Sequence, residues 1–378
     1  YSYSFELNPE WSHRFSPGDE IQAYFEGVAD RHGVHERIRF GEEVVRCEFI
    51  DGRWHLRTDR GTADVVDVVI AATGVLHHPN IPTFEGMDRF EGACFHSARW
   101  DHSVPLDGRR VGVIGTGSTA VQITSALVDR VAHFSLFQRT APYVLPKPDR
   151  RITRVEHFLH RKVPLLQKLV RGMVYGAFES LGVGLLKFPA VLAPMKLAWK
   201  LHLALTVKDP ALRAKLTPDY QLGCKRILFD NTYYRALAQP NAAVVTDDIR
   251  AIGEHWVETA DGTKHEVDTL ILGTGFAASG FIAPMEVRGR GGQELGAVWR
   301  DGAEAYLGIS VRGFPNLFML YGPNTNLGHN SIVYMLESQI RYVTDALRRL
   351  RAEPGASFDV KPGVQSRFNE KLQGALAS

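Results

Sequence analysis

The stretch that decides the fold is Val111-Gly-Val-Ile-Gly115-Thr-Gly117-Ser-Thr-Ala120. The apolar run 110–114 predicts a short buried strand, and 120–128 predicts the helix after it. Gly115 permits the tight turn, Gly117 lets the backbone approach a pyrophosphate, and the small Ala120 allows close helix–strand packing. This context favours a dinucleotide-binding βαβ unit over a tight turn without ligand. The predicted contacts are Gly115, Thr116, Gly117, Ser118, Thr119 and Ala120.

The second strand of this unit, 131–137, ends in Gln138-Arg139-Thr140. In NAD-binding units an acidic residue near this position accepts the ribose 2′-hydroxyl. Here no acid is present, and the guanidinium of Arg139 offers a rigid fork of donors suited to a 2′-phosphate. The sequence therefore predicts NADPH rather than NADH, held by Arg139 and Thr140. The alternative is a solvated surface arginine.

Composition sets the broad class. The chain has 378 residues, of which 44% are hydrophobic and 23% charged, with a net charge of +2. That length suits two domains, and the charge gives no reason to expect a nucleic-acid partner. The three cysteines, Cys47, Cys94 and Cys224, are far apart, so we expect no metal site, no disulfide framework and a cytoplasmic location.

The most apolar stretch, 163–205, is interrupted by charged residues at short intervals. We therefore expect no transmembrane segment but helices that pack on the protein, with a weak membrane-surface contact as the alternative. The other elements alternate strands with helices, which predicts an α/β class with parallel sheets. They are a helix after Ser16–Glu20, a hairpin of 43–50 and 54–58 around Asp51-Gly52, one strand over 65–72, a helical region of about 155–207, strands at 243–246, 256–259, 267–272 and 317–321, and a helix over 331–350.

A spaced pattern lies just upstream of the Gly115 turn: Phe90-x-Gly92, three residues, His96, three residues, then Trp100-Asp101. It resembles the fingerprint of Baeyer–Villiger monooxygenases, class B flavoproteins that include 4-hydroxyacetophenone monooxygenase-like members. The resemblance implies a linker between two nucleotide domains that couples cofactor binding to domain movement. Taken alone, His96 and Trp100 would be a satisfied histidine and a core indole.

The resemblance implies a two-dinucleotide-binding-domain flavoprotein, in which a Rossmann-like FAD domain carries an inserted Rossmann-like NADPH domain. The implied boundaries are 1–107 (FAD domain and linker), 108–272 (NADPH domain with the helical insertion) and 273–378 (FAD domain). Two strand-end motifs and a late Gly/Asn loop resemble the family's flavin-contacting turns, although each alone could be an ordinary strand exit. The implied FAD contacts are Thr73, Gly74, Gly275, Gly322 and Asn324.

Gly223-Cys-Lys225-Arg226 resembles the family's Lys-Arg pair. The resemblance implies that Arg226 is catalytic and faces the flavin, while Lys225 assists the 2′-phosphate of NADPH. A fixed guanidinium would keep a flavin C4a-peroxide anionic and stabilise charge as it attacks a ketone. Without the resemblance, Lys225 and Arg226 would be a solvated pair.

The resemblance implies that NADPH, FAD and O2 are used to insert one oxygen atom into a hydrophobic ketone, giving an ester or lactone. The alternatives are N- or S-oxygenation, or an inactive fragment that binds only NADP. The sequence departs from the family because the first FAD βαβ turn and the aspartate near the flavin have no counterpart here, and because the chain stops at Ser378, before a Trp-containing C-terminal segment usual in the family. We therefore expect a piece of a longer gene product with weak FAD binding, and an insertion over 163–205 that shapes the substrate entrance.

Overall fold

The computed structural model describes residues 1–186, 188–277 and 281–376. The strands are β1 (Val44–Ile50), β2 (Arg53–Thr58), β3 (Ala63–Val66), β4 (Val69–Ala71), β5 (Ala93–His96), β6 (Arg110–Ile114), β7 (His133–Phe137), β8 (Val144–Leu145), β9 (Leu228–Phe229), β10 (Ala242–Val245), β11 (Ile249–Ile252), β12 (Trp256–Thr259), β13 (Lys264–Glu266), β14 (Thr269–Leu272), β15 (Glu286–Arg288) and β16 (Leu317–Met319). The α-helices are α1 (Gly18–Arg31), α2 (Ser118–Leu127), α3 (Arg154–Lys162), α4 (Pro164–Leu186), α5 (Ala193–Thr206), α6 (Pro210–Lys215), α7 (Tyr233–Leu237), α8 (Leu295–Val298), α9 (Ile332–Ala352) and α10 (Val364–Leu376).

The chain divides into two compact units. Unit 1 is Tyr1–Val75, Asp149–Tyr175 and Ala278–Ser378, and unit 2 is Leu76–Pro148 and Gly176–Ala277. These bounds differ from the implied domain boundaries in three places, one of which is 273–277, which belongs to unit 2. Residues 76–107 belong to unit 2 because β5 pairs with β14. Residues 149–175 belong to unit 1 because their helices bond to the N-terminal segment, as with His157 Nε2, 3.0 Å from the Trp11 carbonyl oxygen.

Unit 2 is built on a parallel sheet with the strand order β10-β7-β6-β14-β5. The helix α2 follows β6 and buries Ala120, Val121 and Leu127 in the main hydrophobic cluster of this unit, together with Val113 and Leu136. A separate antiparallel sheet has the order β11-β12-β13. The predicted βαβ unit is therefore present, as β6, α2 and β7.

Unit 1 contains a four-stranded sheet of order β15-β1-β2-β3. The predicted hairpin turn joins β1 and β2, with φ of 49° at Asp51 and 84° at Gly52, as in a type I′ turn. A second, two-stranded sheet pairs β4 with β16 in parallel.

The prediction of one strand over 65–72 is wrong, because the chain changes sheets at Asp67. β3 pairs with β2, whereas β4 pairs with β16. Asn316 holds the break: its side-chain amide donates to the Asp67 carbonyl at 3.0 Å, and its own carbonyl accepts from the Val69 N–H at 3.1 Å. Asn316, almost 250 residues away in sequence, therefore separates β3 from β4 within an apolar segment that the sequence presents as one strand.

Helices α3, α4 and α5 occupy the region for which the sequence predicts helices. The indole N–H of Trp199 on α5 donates to the Tyr234 hydroxyl at 2.9 Å, which attaches α5 to α7 in the core of unit 2. No described helix combines the length and the apolar composition needed to cross a bilayer.

Candidate active site

The carboxyl ends of the parallel strands in unit 2 bring the predicted nucleotide residues to one sheet edge. Ile114 pairs with Phe137 on one side and with Leu272 on the other, so the residues after these strands are neighbours. In open α/β sheets ligands bind at this edge, where the strand order reverses. The turn at Gly115, the residues after β7 that include Arg139, and the turn at Gly273 therefore lie next to one another at this edge.

Close backbone packing explains why residue 115 is glycine. Its φ is +128°, and a Cβ atom there would lie 2.2 Å from the Gly273 carbonyl oxygen. On the other side of that contact, a Cβ on Gly273 would lie 3.3 Å from the Cβ of Ala120, which is fully buried. The turn from β6 into α2 therefore admits no side chain at 115 and only a small one at 120.

Gly117 has a different role, because it faces open space. It is the N-cap residue of α2 with φ of −70°, and a Cβ there would meet nothing within 4 Å. Ser118 and Thr119 after it are exposed. The free backbone N–H groups of a helix N-terminus with unobstructed space before them fit the pyrophosphate of a dinucleotide.

The end of β7 separates two neighbouring polar side chains. Gln138 is buried, and its amide donates to the Lys215 carbonyl at 2.8 Å. Arg139 points outward and is exposed, and among the described residues it makes no hydrogen bond or ion pair. Thr140 is half-buried next to it. An available guanidinium at the end of the second strand fits a ribose 2′-phosphate.

The Lys225–Arg226 pair lies just before β9, and Arg139 and Thr140 lie shortly before β8. These two strands are parallel neighbours, and the Leu228 N–H donates to the Tyr143 carbonyl at 3.0 Å. Both pairs therefore lie in segments that lead into the same end of the β8–β9 sheet. Lys225 and Arg226 are both exposed. Among the described residues the Arg226 side chain has no hydrogen-bond or ion-pair partner.

Tyr220 fixes the Lys225 side chain. The ammonium lies 4.7 Å from the centre of the Tyr220 ring, and the Tyr143 hydroxyl donates to the Tyr220 carbonyl at 2.9 Å. Burial raises the pKa of the Tyr220 hydroxyl above its usual value. The sequence reasoning did not identify Tyr220, because its contact with Lys225 depends on how the loop folds back.

Another residue whose role the sequence reasoning missed is Asp230. One of its carboxylate oxygens accepts from the N–H groups of Thr232 and Tyr233, both at 2.7 Å, and from the Ser125 hydroxyl at 3.0 Å. It therefore holds the turn that leads into the short helix α7 and joins that turn to α2. The signal was available, because aspartate side chains often bond the backbone N–H two residues further on, in an Asx turn.

The fingerprint residues hold the edge strand β5 against the sheet. A Cβ on Gly92 would lie 2.3 Å from the Asp268 carbonyl oxygen, so the chain passes that backbone closely. Phe90 packs on the cluster around Val267, and Trp100 lies edge-on to Phe95 with ring centres 5.2 Å apart. These contacts are structural.

Asp101 closes the fingerprint. It accepts hydrogen bonds from the Ser103 N–H at 2.9 Å and from the Ser103 hydroxyl at 2.6 Å. These bonds lower the pKa of the Asp101 carboxyl. Asp101 thus fixes the turn that follows the fingerprint.

His96 joins the fingerprint to the Gly273–Phe276 turn. The side chain is almost fully buried, with Nδ1 accepting from the Ala98 N–H at 3.1 Å. Nε2 therefore carries the proton and donates to the Gly275 carbonyl at 2.9 Å. The same carbonyl accepts from the Asn80 N–H at 2.9 Å, and the Ala277 N–H donates to the His78 carbonyl at 2.9 Å. His96 thus fixes two antiparallel segments next to both ends of 76–277.

The residues predicted to contact FAD fall into two groups. Thr73, Gly74, Gly322 and Asn324 lie in unit 1, whereas Gly275 lies in unit 2. The first four follow the neighbouring parallel strands β4 and β16, so the structure brings them to one edge.

Close backbone contacts again shape the unit 1 loops. A Cβ on Gly322 would lie 2.3 Å from the Gly308 carbonyl oxygen. Asn324 has φ of 61° and lines a cavity of about 350 Å³ together with Ile309, Gln339 and Tyr342. The Gln339 side chain accepts from the Tyr321 N–H at 2.9 Å. A loop with a cavity of this size beside it fits a planar cofactor ring.

Comparison with known proteins gives the family. A model of flavin-binding monooxygenase-like proteins matches residues 3–171. A Baeyer–Villiger monooxygenase of Pseudomonas aeruginosa is 44% identical over the whole of this chain, which covers 72% of that protein.

Solved structures agree. Cyclohexanone monooxygenase from Rhodococcus sp. Phi1 bound to NADP+ superimposes with a TM-score of 0.87 at 28% identity, over 99% of this chain and 79% of that one. An oxidised steroid monooxygenase bound to NADP superimposes with a TM-score of 0.86 at 31% identity, over 99% of this chain and 80% of that one. The predicted fold class and the predicted type of enzyme, a flavin-dependent NADPH monooxygenase, are confirmed. The chain belongs to the Baeyer–Villiger monooxygenase family.

Proposed function

We propose that this chain uses NADPH, FAD and O2 to insert one oxygen atom beside the carbonyl of a hydrophobic ketone, giving an ester or lactone, while the other oxygen atom leaves as water and NADPH is oxidised to NADP+. The observation that carries the proposal is the pair of exposed guanidinium groups, Arg139 and Arg226, at one edge of unit 2. Neither has a hydrogen-bond or ion-pair partner among the described residues. Two such cations on a nucleotide-binding edge suit one phosphate contact and one reaction centre.

The geometry of the turn supports the following NADPH contacts. The α2 N-terminus at Gly117 holds the pyrophosphate, Arg139 and Thr140 take the 2′-phosphate, and Lys225, steadied on Tyr220, assists them. The loops after β4 and β16 hold the flavin. When bound, FAD supplies the chemistry of hydride acceptance and oxygen activation.

Arg226 is the residue to which we assign the catalytic role. A guanidinium stays protonated throughout turnover, so it cannot neutralise a reacting oxygen anion by giving up a proton. Its fixed positive charge lowers the energy of negative charge that develops on the substrate carbonyl oxygen as the new C–O bond forms. A lysine at this position could lose its proton and would serve less well.

A hydrophobic ketone is the substrate class that the insertion favours. On α5, Leu197, Leu201 and Leu205 recur every four residues, and each is more than half exposed. A row of leucines on the surface of unit 2 suits an apolar substrate better than a polar one.

Product analysis tests the proposal. The purified chain is supplied with FAD, NADPH and 18O2, and is given an aryl ketone in one reaction and an organic sulfide in another. We expect an ester carrying one 18O atom, formed at the expense of one NADPH. Sulfoxide formation with no ester would overturn the ketone assignment. NADP binding without flavin absorbance or oxygenated product would mean that the chain only binds the nucleotide.

A further inference from the structure

We propose that one face of the α3–α4 segment in unit 1 binds an anionic lipid surface. Helices on the surface of a protein normally turn their apolar stripe toward the core and their polar side chains toward water. In this segment the arrangement is reversed. The outward apolar residues, which define the α3–α4 face, are Val155, Phe158, Leu159, Leu165, Leu169 and Met173.

Polar side chains attach both helices to the protein. On α3, His157 hydrogen-bonds the Trp11 carbonyl at 3.0 Å, and Arg161 pairs with Glu10 at 2.6 Å. On α4, Gln167 donates to the Asn8 carbonyl at 2.5 Å. Arg171, four residues later, lies 3.5 Å from the Glu337 carboxylate and 3.9 Å from the centre of the Tyr334 ring. The side chains that bond these two helices to the protein are therefore polar.

The outward stripe is apolar and accessible. Leu165, Leu169 and Met173 recur every four residues on α4, with exposed fractions of 64%, 57% and 66%. Phe158 on α3 is 59% exposed. Single exposed apolar residues need no explanation, but a row of large side chains over two consecutive helices marks an interaction surface.

The charge around the face identifies the occupant. Segment 149–175 contains seven Lys and Arg residues and only two acidic residues. The whole chain is nearly balanced, with 44 Lys and Arg residues and 42 Asp and Glu residues. Arg154, Lys162 and Lys168 are exposed, and none of them has an ion-pair partner among the described residues. Apolar side chains flanked by unpaired cations suit the headgroup region of an anionic membrane, where leucines enter the acyl boundary and cations meet phosphates.

Sedimentation with lipid vesicles tests this inference. The purified chain is mixed with vesicles of equal parts phosphatidylcholine and phosphatidylglycerol, and separately with phosphatidylcholine alone. We expect clear binding to the mixed vesicles, weakened by salt, and much weaker binding to the neutral ones. The double variant Leu165→Glu/Leu169→Glu should bind the mixed vesicles at least about tenfold less, since both leucines would enter the membrane. Ile340→Glu, on an exposed position of α9, is the matched control and should bind as the parent does.

A second pair of variants tests the charges and disturbs the fold less. Lys162→Gln and Lys168→Gln should each weaken binding to the mixed vesicles about fivefold, since a basic residue near an anionic surface contributes about 1 kcal/mol. The control Lys361→Gln/Lys371→Gln removes two exposed lysines elsewhere in unit 1 and should change nothing. The proposal is overturned if the parent chain does not bind mixed vesicles, or if the variants bind like their controls. It is also overturned if the leucine variants only convert a dimer into monomers, because the occupant is then a second copy.

Discussion

The Nε2 atom of His96 lies 2.9 Å from the Gly275 carbonyl oxygen, and this bond fixes one of the segments at the boundary of unit 2. Both imidazole nitrogens are used by the backbone, Nδ1 by Ala98 and Nε2 by Gly275. A histidine held in this way has no nitrogen left for a substrate proton. We therefore regard it as a positioning residue.

We expect His96→Ala to lower the free energy of unfolding by about 1–3 kcal/mol. The Ala98 N–H would lose its acceptor, and the Gly275 carbonyl would lose one of its two donors. Turnover should fall while the pH dependence of kcat keeps its shape. Thermal unfolding and a pH–rate profile check both points, with exposed His255→Ala as the control. Loss of one limb of the profile in His96→Ala would instead indicate an acid–base role.

The two glycines of the β6–α2 turn should respond differently to alanine. Gly115→Ala places a Cβ against the Gly273 carbonyl at a positive φ, so we expect about 2 kcal/mol or more of destabilisation. Gly117→Ala has open space and an ordinary φ, so its unfolding temperature should stay near that of the parent. Its NADPH dissociation constant should rise, because the methyl group occupies pyrophosphate space. Calorimetry and nucleotide titration separate the two effects, and equal stability of both variants would contradict the contact at 115.

Arg139→Ala should raise KM for NADPH at least about tenfold while changing KM for NADH little, since a charge-assisted contact to a phosphate contributes about 1.5–3 kcal/mol. Steady-state kinetics with both nucleotides measure this. Arg130→Ala, an exposed arginine paired with Asp107 in the same unit, is the control. Equal increases for NADPH and NADH would remove Arg139 from the 2′-phosphate site.

Arg226→Ala should abolish ester formation from a ketone, whereas nucleotide binding, flavin content and unfolding temperature stay at the parent level. The reason is that its side chain is exposed and contributes no ion pair to the described fold. Arg226→Lys should restore only a small part of the activity, because an ammonium can lose its proton. The exposed Arg235→Ala serves as the control. Ester formation by Arg226→Ala at the parent rate would disprove the catalytic assignment.

Asp268 should stabilise the fold at neutral pH and lose this contribution in acid. Its carboxylate accepts from the Arg110 backbone N–H at 2.9 Å and from the Arg110 guanidinium at 2.6 Å, and these bonds lower its pKa. A lowered folded-state pKa means that the stabilisation is present above the unfolded value of about 4 and is lost as the pH falls through the folded value. Asp268→Asn should therefore unfold at lower temperature at pH 7 and differ less from the parent near pH 3. A constant difference across that range would contradict the linkage.

Patterns that are local in sequence predicted the fold well. The Gly115 turn and the Asp51-Gly52 hairpin both appear where expected, because a turn type depends on a few adjacent residues. The break at Asp67 was not predictable, since it is held by Asn316. The outward direction of the α3 and α4 apolar stripes was equally hidden, because an amphipathic pattern does not state which side meets the protein.

In the candidate site, too, local motifs were predictable from the sequence, whereas contacts that depend on the folded chain were not. The motif predicted a tight turn at Gly115 and room for a pyrophosphate at Gly117. Gly117 does face open space, and what the sequence did not indicate is that the turn at Gly115 packs against the Gly273 carbonyl oxygen. The Lys225–Arg226 pair was identified from its resemblance to the family. Its attachment to Tyr220 required the folded loop.

The discontinuous make-up of unit 1 has a consequence for synthesis on the ribosome. β1 pairs with β15, and β4 pairs with β16. In each pair the second strand is synthesised about 240 residues after the first. Unit 2 is complete once residue 277 has emerged, so it can fold first, while each of the two unit 1 sheets still lacks one strand. Nascent chains arrested between these points would expose unpaired strand edges and need chaperone protection.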